Sequence, residues 1–139
     1  MNVSVKSDYA ARAVLSLARH YPAESVVRAE AVAREQNVPP HFLSLIMVEL
    51  KDGGIVQSVR GKDGGYRLAR APSEISLGDV LRAVQGAVFD TPATRERKCP
   101  PELQRAWKRL QQTLETEAGA INFQQLLEEG TDKEKMYYI

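Results

Sequence analysis

Ile55-Val56-Gln57-Ser58-Val59-Arg60-Gly61-Lys62-Asp63-Gly64-Gly65-Tyr66-Arg67-Leu68-Ala69-Arg70 is the stretch whose reading decides the fold. Ile55 to Arg60 is rich in β-branched residues, Gly61 to Gly65 has the composition of a turn, and Tyr66 to Arg70 returns with alternating polarity. Together these predict a β-hairpin with a basic tip. Pro72 ends the second strand because it cannot donate to the ladder.

Upstream of the hairpin the chain reads as three helices. Over residues 7–21, Ala10, Ala13, Val14, Leu17, Ala18 and Tyr21 form one apolar stripe at helical spacing. Ser7 is the expected cap, Asp8 suits the positive end of the dipole, and Pro22 stops the helix. A short second helix runs from about Arg28 to Gln36, and Asn37 tolerates the left-handed backbone of a tight turn. Val38-Pro39-Pro40 opens a third helix, which Asp52-Gly53-Gly54 ends. In that helix Leu43, Ile46 and Leu50 share a core face, and the opposite face carries His41, Ser44, Leu45, Val48 and Lys51.

Downstream, Ser76-Leu77-Gly78-Asp79 has the form of a capping box. The helix it starts carries Leu77, Val80, Leu81 and Val84 and ends near Gly86. Residues 87–99 lack a period and read as an exposed loop. A fifth helix runs from about Pro100-Pro101 to Ala118, and Asn122 with Gln125 caps a short last helix bearing Phe123, Leu126 and Leu127.

The expected fold is mainly α with a small β-hairpin, a winged helix-turn-helix domain plus a long dimerisation helix. Residues 1–86 form the DNA-binding domain, 87–99 an effector-type loop, and 100–139 the dimerisation helix and short C-terminal helix. The order helix, short helix, turn, helix, basic hairpin is that of a DNA reader. His41 and Ser44 suit base edges, Leu45 or Val48 thymine methyl groups, and Lys51 a phosphate. Leu45 and Val48 equally suit packing on another part of the protein. Arg60 and Lys62 at the wing tip fit a minor groove or a solvated charged turn. Arg28, at the start of the second helix, joins His41, Ser44, Lys51, Arg60 and Lys62 as a DNA-binding candidate. The charge balance agrees: residues 1–70 hold 10 Lys/Arg against 7 Asp/Glu, and residues 71–139 hold 9 against 11.

Leu103, Trp107, Leu110 and Leu114 follow the 4-3-4 spacing of an a/d seam. Such a seam packs either within the chain or against a second copy. A homodimer is the favoured reading, and it would meet a pseudo-palindromic site on double-stranded DNA. Cys99 is the one cysteine, so no internal disulfide forms. It lies before a helix start and beside Arg95, Arg97 and Lys98, a setting that favours a reactive thiolate; the alternative is an ordinary exposed thiol. No nucleophile–base pair, phosphate loop or metal-ligand cluster marks an enzyme, and His20 and His41 lie in different helices. No apolar run spans a membrane and Lys6, Asp8, Arg12 and Arg19 interrupt any signal core, so a cytoplasmic protein is expected.

Four stretches carry a family resemblance: Ser7-Asp8-Tyr9-Ala10, Leu50 through Leu68 with its Gly64-Gly65-Tyr66, Ser76-Leu77-Gly78-Asp79-Val80, and Arg82-Ala83-Val84. The chain resembles the bacterial winged-helix regulators that include the iron–sulfur cluster regulator, the nitric-oxide-sensing repressor and the cysteine-metabolism repressor. The resemblance implies a dimer held by the fifth helix, the third helix in the major groove and Arg60 in the minor groove. Ser44 stands where some cluster-bearing relatives carry a base-reading glutamate, which implies a different operator. Cluster-binding relatives place three cysteines in the loop before the fifth helix, where this chain keeps Cys99. Asp8 matches a non-cysteine ligand position of some nitric-oxide sensors, and Gln104 stands near another ligand position. A cluster needs four protein ligands, mostly thiolates. The expectation is therefore a regulator, most simply a repressor, without cofactor or metal and with an unknown effector. The alternatives are a cluster-binding sensor using Cys99 and Asp8, or a winged-helix protein–protein module.

Overall fold

The structure, a computed structural model, describes residues 3–22, 26–96 and 98–137, and the side chains of all of these except 93, 94 and 132–137. Arg97 lies outside the described residues. The chain order is α1 (Val5–Arg19), α2 (Ala29–Gln36), α3 (Pro40–Asp52), β1 (Val56–Val59), β2 (Gly65–Leu68), α4 (Leu77–Gln85), α5 (Pro101–Ala120) and α6 (Phe123–Tyr137). Short 3-10 turns sit at Pro72–Glu74 and Pro92–Arg95.

Helix α1 starts earlier than its apolar stripe implies. Ser4, not Ser7, is the cap, accepting from the Ser7 N–H at 3.0 Å. Ser7 is instead buried, and its hydroxyl donates to Gln85 Oε1 at 2.7 Å. A serine is equally suited to either position; only the neighbouring helix decides. Asn37 ends α2 in the left-handed conformation, φ 55°, as its side chain tolerates. Pro40 opens α3, where its missing N–H costs nothing.

In the wing, β1 and β2 pair antiparallel, with Val56 opposite Leu68 and Val59 opposite Gly65. Gly61 turns the tip with φ 112°, a backbone that side chains with a Cβ rarely adopt. A third extended segment joins the ladder. Val27 and Tyr66 exchange backbone hydrogen bonds, each 2.8 Å, and a Cβ on Gly65 would fall 2.6 Å from the Val27 oxygen. Glycine at 65 lets the strand before α2 lie this close to the wing.

Ser76 and Asp79 form the reciprocal capping box that starts α4, and Gly86 ends that helix in the left-handed region. Burial opposes the charge of Asp79. The Ser76 backbone N–H, then Arg82 and Arg70, outweigh it and hold the carboxyl below the usual carboxylate range.

Leu43, Ile46 and Leu50 are fully buried, as their spacing predicts, and Met47 joins them. The core runs through α1, α2, α3, β1 and α4, but it is completed by Phe123, 0% exposed, from α6. Leu126 and Leu127 pack against the same core. The first four helices and the wing therefore do not close their core alone. Two further expectations are corrected. Residues 87–99 are not wholly exposed, because Val88 and Phe89 are buried. The last helix is not short but continues through Gly130 to Tyr137. Gly130 and the polar run from Glu128 to Lys135 hid its length. Among the described residues no helix is long and apolar enough to cross a membrane.

Candidate nucleic-acid interface

Three elements build one outward surface. The buried face of α3 fixes its roll, so His41, Ser44, Leu45, Val48 and Lys51 are all exposed. Leu45 and Val48 are 65% and 56% exposed, so neither packs into the chain. The Ser44 hydroxyl rests on the Pro40 carbonyl at 3.3 Å, a weak local bond that another acceptor can replace. Lys6 reaches from α1 to Glu49 at 2.7 Å and steadies α3 from its flank.

The wing lies beside this helix. Arg60 and Lys62 are exposed, and among the described residues neither side chain has a hydrogen-bond or ion-pair partner. Arg28 donates to the backbone carbonyl of Lys62 and so holds the wing tip against the start of α2. Arg67 is tied across the strands to Gln57 at 3.2 Å, and Arg70 is turned to the Glu74 carbonyl and to Asp79. Among the described residues, the free cations of the wing are thus those at its tip. Between the end of α3 and β1 runs an open groove of about 590 Å³, lined among others by Lys51, Gln57, Ser58 and Arg60. Its lining is mixed, with Gly54, Val56 and Ala69 beside the polar residues, and the cations Lys51 and Arg60 suit a phosphate backbone.

The second half carries a different surface. Trp107, Leu110 and Leu114 line a cleft of about 650 Å³ with Val88, Phe89 and Gln85. Gln85 joins this cleft to α1: it accepts from Ser7 and donates to the Ala87 carbonyl at 2.9 Å. Leu103 and Leu110 remain 44% and 43% exposed, so the seam of α5 is only partly covered within the chain. Sequence reading missed Lys6, Glu49 and Gln85, because each acts across a long loop of chain and leaves no local periodicity.

Cys99 is half-buried and unbonded to any other cysteine. The Arg95 guanidinium is taken by Asp90 at 2.8 Å, which lowers the Asp90 carboxyl and raises Arg95, rather than being free beside the thiol. Asp8 is paired with Arg12 at 2.8 Å, and the Gln104 amide donates to the Glu96 carbonyl at 3.1 Å. Among the described residues no three of His, Cys, Asp and Glu are grouped to hold a metal ion. With one thiol and a carboxylate already paired, the donor set does not fit an iron–sulfur cluster.

Comparison with known proteins places this geometry. The family model described as Rrf2, iron-dependent transcriptional regulator, matches residues 3–129. An HTH-type transcriptional regulator of Mycobacterium tuberculosis is 43% identical over 86 residues, 62% of this chain and 53% of that protein. The chain thus spans about half the length of that relative. The HTH-type transcriptional regulator CymR of Bacillus subtilis is 25% identical over the whole of both chains. Among solved structures, IscR of T. potens matches with TM-score 0.73 and 29% identity, covering 94% of this chain and 88% of that one.

Proposed function

Because the chain belongs to the Rrf2 family of transcriptional regulators, we propose that it is a sequence-specific DNA-binding repressor acting as a homodimer on a pseudo-palindromic operator. The observation that carries this is the joint exposure of the outer face of α3 and of Arg60 and Lys62 at the wing tip, which have no partner among the described residues, with Lys51 and Arg60 lining one groove. In this reading α3 enters the major groove through His41 and Ser44, Lys51 meets a phosphate, and Arg60 and Lys62 reach the minor groove. Arg28 holds the wing and adds charge beside it. Residues 1–86 carry the DNA contacts, with Phe123 completing their core. Leu103, Trp107, Leu110 and Leu114 of α5 supply the subunit contact, and residues 87–99 answer to an effector. The protein acts in the cytoplasm and catalyses no reaction; its relatives are regulators, not enzymes.

Titrating duplex DNA at increasing salt tests the reading. Affinity that falls steeply and linearly in log–log form supports it. Absence of salt-dependent binding to any duplex overturns it and leaves a protein–protein module.

A second reading, a cluster-bearing sensor, is favoured by the family description and by the likeness to IscR. The donor set argues against it, and a cluster-free regulator is the proposal. Protein purified without oxygen settles the choice by its visible spectrum and iron content. A colourless, iron-free protein supports the proposal; a brown, iron-loaded one supports the sensor.

A further inference from the structure

Resting on the DNA-binding reading, we infer that Leu45 and Val48 of α3 recognise thymine methyl groups, so that the operator half-site is set by thymines under α3 rather than by a bidentate purine contact. Several observations support this. The reading face of α3 holds no arginine, asparagine, glutamine or glutamate; its side chains able to hydrogen-bond are His41, Ser44, Lys51 and Asp52, and Lys51 and Asp52 both lie in the last turn, where Lys51 suits a phosphate. What it offers instead is two branched aliphatic side chains, 65% and 56% exposed. The α3 roll is locked by four fully buried residues, Leu43, Ile46, Met47 and Leu50, so these side chains cannot turn inward.

Water-exposed aliphatic groups on a helix invite burial, and the occupant is decided by what surrounds them. Lys51 lies on the same face, and Arg60 and Lys62 stand on the adjoining wing without partners among the described residues. Asp52, at the last turn, is the one carboxylate on this face of the helix. An apolar pair framed by cations matches a polyanion that carries methyl groups, which is the major groove at A·T pairs.

The spacing agrees. Residues three apart on a helix hold their Cβ atoms about 5–6 Å apart. Base steps are about 3.4 Å apart along a strand. Leu45 and Val48 therefore meet thymines on neighbouring or alternate steps. Arg60 at the wing tip works in the same direction, because runs of A·T pairs narrow the minor groove and deepen its negative potential. Both reading elements select A·T pairs, each for its own physical reason.

The test is selection of duplexes from a random pool by the full chain, followed by replacement of thymine with deoxyuridine in the selected site. Deoxyuridine keeps the base pairing and removes the C5 methyl. Burying one methyl is worth about fourfold in affinity, so a site with two contacted methyls in each half should weaken by well over tenfold. The Leu45→Ser, Val48→Ser double variant alters exposed side chains alone, and circular dichroism checks that it folds. It should bind thymine and deoxyuridine duplexes nearly alike, which separates methyl contact from any change in DNA shape. Equal binding of both duplexes by the unaltered protein overturns the inference. So does a double variant that keeps the original preference. In either case salt-dependent binding persists and the DNA-binding reading stands; if no duplex binds at all, both fall together and a protein partner takes this face.

Discussion

The Ser7 hydroxyl donates to Gln85 Oε1 at 2.7 Å, joining the first turn of α1 to the last turn of α4 across 78 residues of chain. The same Gln85 amide donates onward to the Ala87 carbonyl, at the edge of the cleft that holds Trp107.

Ser7→Ala removes this donor from a part-buried bond whose acceptor residue, Gln85, is exposed. A stability loss of about 0.5–1.5 kcal/mol is expected, measured by urea unfolding. Ser4→Ala removes a cap instead and should cost about 1 kcal/mol. If Ser7→Ala proves neutral while Ser4→Ala does not, the link between α1 and α4 contributes nothing to stability.

Arg60→Ala should weaken binding to the selected duplex and lower the magnitude of its salt slope by about one, because one cationic contact is lost. Arg28→Ala should weaken binding through loss of wing placement, while the fold and melting temperature change little at so exposed a residue. Electrophoretic mobility shifts at three salt concentrations read both. An unchanged affinity for Arg60→Ala removes the wing from the interface.

Leu103→Glu with Leu110→Glu places charge on the exposed part of the α5 seam. Sedimentation equilibrium should show a dimer for the unaltered chain and a monomer for the variant, with operator affinity falling at least tenfold as the second half-site is lost. A variant that remains dimeric assigns the subunit contact to another face.

Asp79 gives a pH signature. Its carboxyl titrates below its ordinary value of 3.8, so the folded state prefers the ionised form. The stabilisation is therefore complete above about pH 4, where the unfolded chain is also ionised, and is lost as pH falls through the lower folded value. Asp79→Asn should melt below the unaltered chain at pH 7, and the gap should close as pH falls below 4. A gap that does not change with pH would show that the charge of Asp79 is irrelevant and only its cap geometry matters.

Much of this architecture was legible in local pattern. The core face of α3, the left-handed Asn37, the Ser76–Asp79 box and the Asn122–Gln125 cap each depend on residues within one or two turns of one another. The exposed face of α3 followed from the same periodicity. Ser7 was misread as a cap because the competing partner, Gln85, lies far along the chain. Residues 87–99 were misread as open because Val88 and Phe89 find their cover elsewhere in the fold, not in a local period. The length of α6 was hidden for the converse reason: from Glu128 to Lys135 its sequence is polar and interrupted by Gly130.

The amino-acid sequence by itself determined most of the helices, the wing, the outward face of α3 and the family, because short-range sterics, capping and hydrophobic period act between near neighbours. The tertiary structure alone decided that Phe123 closes the core of the first four helices and the wing, that Arg28 holds the wing tip, and that the cations of Arg67, Arg70 and Arg95 are spent within the chain while Arg60 and Lys62 are free among the described residues. Those outcomes depend on which groups arrive in contact, within about 3 Å for a hydrogen bond, and neither hydrophobic period nor capping pattern encodes that.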